Sequence, residues 1–243
     1  MSLLQSVFYT AFPFLRSAFG REQWTESQLQ LIPAGETLLD VGAGECMYRS
    51  ACAHLRYVSQ DSGQYDGRGN DRGLQTGTWN TAAIDIVSDA CAIPVEPRSF
   101  QNILCTEVLE HLPHPERAIH EFSRILTPGG RLILTAPFWS VSHFAPFHYC
   151  TGFSTYWYEN ILADHGFAIV EMRRTGNYFS AVIQELIRAP FQLRRCSRIG
   201  VLAYAVFLFT LPAALALYLF SFLTKGSEEL LCFSVCVLAR KMP

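Results

Sequence analysis

Apolar and polar positions along this chain change their period several times, and each change marks an element. A short apolar run, Leu38, Leu39 and Val41, encloses one acid, Asp40, and then breaks into Gly42-Ala43-Gly44. That pattern predicts a buried strand entering a tight glycine turn. Comparable runs predict strands over 56–60, 84–87, 100–105, 131–136, 167–174 and 230–241. Helices are expected at 25–32, at 48–55 as the first crossover, and at 153–165. Another spans 115–126, where Ala118, Ile119, Phe122 and Ile125 fall on one face until Pro128-Gly129-Gly130 stops it. Upstream, Leu3, Leu4, Val7, Phe8, Ala11 and Phe12 repeat at helical spacing as far as Pro13. Strands alternating with helices predict an α/β sheet.

Three stretches break the alternation. Residues 62–80 are rich in Gly, Asp, Gln and Asn, with Tyr65 and Trp79 as their main aromatics, and are long for a connection. Residues 137–152 crowd aromatics and histidines together. Residues 199–223 contain no charge, with Arg194, Arg195 and Arg198 before them and Lys225 after. By length alone this last stretch is a membrane-span candidate. Pairing of the two strands that flank it argues against one crossing, because both must stay on one side. Three readings remain: a helical hairpin lying in the membrane interface, a lid over an apolar substrate, or a subunit contact, and a break at Pro212 favours the hairpin, with peripheral membrane association or a dimer expected.

Composition narrows the class. The chain has 243 residues, long enough for one domain with an elaboration. Its net charge of −2 offers no bulk attraction for nucleic acid. Half the residues are apolar and only 16% are charged, an excess concentrated in 199–223. The eight cysteines show no C-x-x-C spacing and fall mostly in apolar runs. They read as buried thiols of a cytoplasmic protein, possible membrane contact being peripheral. The first residues lack a basic region and a cleavage site, so no signal peptide is expected.

The glycine turn narrows the chemistry. A dinucleotide fingerprint wants a third glycine where Met47 stands, and the neighbouring acids, Asp40 and Glu45, would repel a diphosphate. They suit a cationic ligand. With Asp61 ending the second strand, Ser88-Asp89-Ala90 and Ile93-Pro94 after the third, and T-E-V-L-E-H-L-P-H-P at 106–115, the chain resembles the class I S-adenosylmethionine-dependent methyltransferases. The resemblance implies a Rossmann-like seven-stranded sheet, mostly parallel, with helices on both faces and the last strand antiparallel beside the sixth. It also implies a cofactor site of Asp40, Gly42, Ala43, Gly44, Glu45, Asp61, Asp89, Ala90, Thr106 and Glu107. Asp61 would hold the ribose, and Asp89 with Ala90 the adenine. The amino end of the 48–55 helix would meet the cofactor carboxylate. The organisation expected is a single methyltransferase domain over 1–243. It comprises a helical cap (1–32), a cofactor-binding core (37–174), an apolar helical insertion (177–226) before the last strand, and that strand (230–241).

The acceptor side is less constrained. Methyl transfer to a hydroxyl, an amine or carbon of a small or lipid-like molecule is the expected reaction. His148, His111 and His143 are the candidate bases. Glu107, Glu110, His111 and His148 are candidate ligands for Mg²⁺ or another divalent cation, as the resemblance to metal-dependent members such as ubiquinone-pathway O-methyltransferases implies. Tyr65, Phe138, Trp139, Phe144, Phe147 and Tyr149 are expected to line the acceptor pocket. A non-catalytic cofactor-binding module stays open as an alternative; a nicotinamide-dependent oxidoreductase is disfavoured by Met47.

Overall fold

The computed structural model describes residues 17–196 and 202–243. The expected helix at 3–12 lies outside them, as do positions 199–201 of the apolar stretch. Seven strands form one sheet: β1 (Thr37–Val41), β2 (Arg56–Asp61), β3 (Ile86–Val87), β4 (Phe100–Thr106), β5 (Leu126–Pro137), β6 (Phe167–Thr175) and β7 (Ser234–Lys241). Their order is β3-β2-β1-β4-β5-β7-β6. β1 lies between β2 and β4, parallel to both, and β7 runs antiparallel to β5. The sheet therefore has the expected Rossmann-like form.

The chain divides into two compact units. One holds Arg21–Arg173 with Ser234–Pro243; the other includes Arg174–Phe233. In the first, β1 is central, so Leu38, Leu39 and Val41 are fully buried. Trp24 and Leu29 of α1 (Ser17–Gln30) pack there with Leu104, Ile133 and Cys236 from β4, β5 and β7. This burial is the main source of the sheet's stability. α2 (Pro115–Ile125) turns Ala118, Ile119, Phe122 and Ile125 inward as its periodicity predicts. Ser154 caps α3 (Thr155–Asp164), accepting from the Trp157 amide.

Several expectations need correcting. Residues 48–55 form a chain of turns rather than a helix. Cys46 takes a left-handed φ of 56°, and the Arg49 amide, which the helix's amino end would have offered a ligand, bonds back to Cys46 O at 3.0 Å. The strand at 84–87 shrinks to Ile86–Val87. β5 starts at Leu126, because α2 ends at Ile125 and the Pro128-Gly129-Gly130 segment continues as strand, with a register shift opposite Phe100 and Asn102. The last strand begins at Ser234; Ser227–Glu229 is a 3-10 turn.

In the second unit, α4 (Tyr178–Cys196) and α5 (Leu202–Ser221) pack on each other. Ile183 and Ile187 of α4 meet Ala214 of α5, and Phe191 meets Phe207. α5 runs unbroken through Pro212. The two arms of the hairpin are thus α4 and α5, not halves of 199–223. Contacts of Phe207 before the proline and of Ala214 and Leu217 after it hold both halves of α5 to α4, which outweighs one lost backbone bond. Among the described residues no helix is long and apolar enough to cross a membrane.

Candidate active site

Parallel pairing brings the carboxyl ends of β1, β2, β3 and β4 to one edge, where open α/β sheets bind ligands. Asp40, 2% exposed, accepts from Tyr57 Oη at 2.5 Å. Burial pushes its carboxyl up to about 7, against the Tyr57 bond. The turn that follows needs its glycines. Gly42 has φ +68°, and a Cβ there would collide with a Val108 methyl. Gly44 has φ +52°, and a Cβ would come within 2.9 Å of the Trp79 ring.

Asp61 reaches back to this turn. Its Oδ2 accepts from the Gly44 amide at 3.0 Å and its Oδ1 from the Gly63 amide at 2.8 Å. Glu45 accepts from the Asn80 amide at 3.0 Å, which ties the 62–80 loop to the turn. Asp89 accepts from the Cys91 amide at 2.8 Å. Gln60, which the sequence reading missed, joins these tips: its amide nitrogen donates to Ser88 O at 2.6 Å. A polar residue one place before the strand-end acid carries no signal of its own.

A cavity of 280 Å³ opens at this edge. Gly42, Asp61, Asp89 and Ala90 line one part of it; Glu107, His111 and the rings of Tyr65, Phe144, Phe147 and Tyr149 line the rest. Asp40, Ala43, Gly44, Glu45 and Thr106 stand at or beside the strand tips but do not line it; nor do Phe138, Trp139, His143 and His148. Val108, Leu112 and Trp79 line it as well. Phe144 stacks on Tyr65 at 4.4 Å and on His111 at 4.9 Å between ring centres. The two irregular loops are joined here: Leu74 N donates to Ser142 O, and Phe144 N to Leu74 O.

Glu107 has φ 56° and turns toward α1, where Arg21 Nη1 donates to its Oε2 at 2.7 Å. Thr135 Oγ1 donates to its other oxygen at 3.3 Å. Burial raises Glu107 to about 7, opposed by Arg21. Arg21 was not foreseen, because it lies before any motif.

Glu110 is different. It is fully buried and neither carboxylate oxygen has a hydrogen-bond partner. His111 Nε2 lies 3.7 Å from its Oε1 and His143 Nε2 lies 3.8 Å away, both too far for a hydrogen bond. Each ring's other nitrogen faces a carbonyl: His111 Nδ1 meets Phe147 O at 2.6 Å, and His143 Nδ1 meets Val141 O at 2.9 Å. Those acceptors require Nδ1–H, so in the neutral rings both Nε2 lone pairs point at the carboxylate. With both rings neutral, three ligand atoms lie within 4.8 Å of one another, a group that could hold a cation. Burial lowers the His111 pKa. Burial also opposes charging of His143, yet Glu110 carries it above its ordinary value. His148 sits 4.7 Å from His143 ring to ring, but its Nε2 is engaged with Ser140 Oγ. The structure thus gathers Glu110, His111 and His143, with Glu107 and His148 outside the triad.

Residues 39–134 match the family model described as "Methyltransferase domain". An uncharacterized methyltransferase of Mycobacterium avium (strain 104) is 34% identical over 110 residues, 44% of this chain and 41% of that protein. A ubiquinone biosynthesis O-methyltransferase of Xanthomonas euvesicatoria pv. vesicatoria (strain 85-10) is 30% identical over 118 residues, 47% of this chain and 48% of that protein. The matched stretch therefore spans less than half of these relatives. Among solved structures, the [4+2]-cyclase SpnF superposes with a TM-score of 0.55 at 20% identity, covering 93% of this chain and 82% of that one. At that identity the likeness concerns the fold, which hosts more than one chemistry.

Proposed function

We propose that this chain, whose residues 39–134 match the model of a methyltransferase domain, is a class I S-adenosylmethionine-dependent methyltransferase that transfers a methyl group from S-adenosylmethionine to a hydroxyl, amine or carbon of a small or lipid-like acceptor. The observation that carries the reading is the convergence of Asp40, Asp61 and Asp89 from three neighbouring strands on one edge, beside a glycine turn with no room for a Cβ. Acids there favour a cation and repel a diphosphate. When bound, S-adenosylmethionine supplies a methyl group already activated by its sulfonium.

The residues of the chain then have three tasks. Asp61 and Asp89 accept from ribose hydroxyls and from the adenine amine, while Ala90 offers its backbone. Tyr65, Phe144, Phe147 and Tyr149 hold the acceptor and exclude water. Of the three candidate bases, His111 is the one whose ring reaches the cavity wall, with its Nε2 toward the buried Glu110 carboxylate rather than toward the acceptor. Its ring lines the cavity, its Nδ1–H is fixed on Phe147 O, and its lowered pKa keeps Nε2 unprotonated near neutrality.

The same Nε2 has a second use. Glu110, His111 and His143 would hold a divalent cation, and the orphaned Glu110 carboxylate supports that fit. One carboxylate with two imidazoles suits Mn²⁺, Co²⁺ or Zn²⁺ better than Mg²⁺. A bound ion would lower the pKa of an acceptor hydroxyl. Binding a metal and accepting a proton directly exclude each other at His111.

Calorimetry with S-adenosylhomocysteine and with NAD tests the cofactor reading. Uptake of the former alone is expected; uptake of NAD alone, or of neither, overturns it. Labelled methyl transfer across acceptor classes then separates an enzyme from a binding module. For the metal, Co²⁺ added to chelator-treated protein is expected to give the visible absorption of a bound ion, absent in Glu110→Gln. A featureless spectrum in the parent protein would leave His111 as the base.

A further inference from the structure

α5 carries a broad exposed surface. From 205 to 220 every exposed position is apolar: Ala205, Leu208, Phe209, Leu211, Pro212, Ala213, Leu215, Ala216, Leu219 and Phe220. Leu208 is 73% exposed, Phe209 81% and Leu219 60%. At 3.6 residues per turn these positions cover about 200° of the helix circumference. Phe207, Ala214, Leu217 and Tyr218 occupy the remaining arc, against α4. Phe222, Leu223 and Leu230 extend the exposed apolar surface beyond the helix.

What covers such a surface follows from its width. One partner helix, including the α5 of a second copy, meets a stripe of roughly 100°. An arc twice as wide calls for a surrounding apolar medium. Charge points the same way. α5 carries none, whereas α4 ends in the exposed pair Arg194 and Arg195 and carries half-buried Glu185, Arg188 and Gln192 along its length. α5 is not amphipathic by itself; packed on α4 it makes one hairpin whose charges lie on α4 and whose open apolar face lies on α5. At the other end Lys225 is followed by Glu228 and Glu229, so the net positive end is the α4 carboxyl terminus.

We propose that the α4–α5 hairpin is a monotopic membrane-binding element, with α5 lying in the bilayer interface and Arg194 and Arg195 meeting anionic headgroups. The proposal is independent of methyl transfer: it uses no residue of the cavity.

Flotation of the purified full chain with vesicles tests it. One set is phosphatidylcholine alone, the other equal parts phosphatidylcholine and phosphatidylglycerol. The chain is expected to float with the mixed vesicles and to be partly released by high salt. Phe209→Glu with Leu219→Glu should reduce the bound fraction about tenfold or more. Both sites are exposed, and unchanged far-ultraviolet circular dichroism would show that the variant keeps its helices. Arg194→Glu with Arg195→Glu should weaken binding to the mixed vesicles only. Failure of the parent chain to float with either set overturns the proposal. So does flotation undiminished in the Phe209/Leu219 variant. A dimer in sedimentation that the same two substitutions dissolve, with no flotation, would assign the surface to a second copy instead.

Discussion

Glu110 concentrates the conflict between stability and chemistry at the residue scale. A carboxylate sealed from water without a donor destabilises the fold that contains it. Glu110→Gln is therefore expected to raise the stability of the metal-free chain by about 1–3 kcal/mol while removing its affinity for Co²⁺. Thermal melts of metal-free and metal-loaded protein check both halves at once. Asp40 offers a second contrast. Its carboxyl is raised to about 7, above an unfolded value near 4. The folded state thus holds the extra proton between those values, and stability is lost as pH rises through that window. Asp40→Asn should flatten this slope and raise the melting temperature at pH 8 by a few degrees, on the order of 2–4 °C per kcal/mol. It should also weaken binding of S-adenosylhomocysteine. Melts at pH 5 and pH 8 decide the first point, calorimetry the second.

At the scale of elements, the turn between β1 and the residues that follow is the tightest joint. Gly42→Ala puts a methyl into Val108 and demands a left-handed backbone, so a loss of about 2 kcal/mol or more is expected in denaturant titrations. Trp79 closes over the same turn from the 62–80 loop. Trp79→Ala should speed release of S-adenosylhomocysteine by about tenfold, an effect on the order of 1.4 kcal/mol, measured by stopped-flow fluorescence. The elements differ in how far they could be read from local pattern. β1, β4 and α2 have unbroken periodicity and come out where it puts them. Residues 48–55 have helical spacing, but a left-handed Cys46 and its bond to Ala43 divert the start. The pairing of Leu74 with Ser142 and Phe144 has no local signal, since two irregular loops meet there.

For the molecule as a whole, the division into two units makes a statement about linkage. A ligand bound to the native state at 100 times its dissociation constant adds about 2.7 kcal/mol. S-adenosylhomocysteine should spend that on Arg21–Arg173 and Ser234–Pro243, which contain every residue of the cavity. Hydrogen exchange is expected to slow across β1, β2 and β4 and to stay unchanged across α4 and α5. Equal slowing in both units would show that they open as one.

The seven strands in their order along the chain, the acids at three strand ends and the glycine turn were all present in the linear chain. They depend on local periodicity and on backbone angles, which neighbouring residues determine. What only the tertiary structure decided are the matters of convergence. Glu107 was drawn away to Arg21, while His143 rather than His148 came to face Glu110. α5 was left with one apolar side against α4 and a wider one open. Those outcomes depend on which side chains from distant segments compete for one space, and no spacing along a chain records that competition.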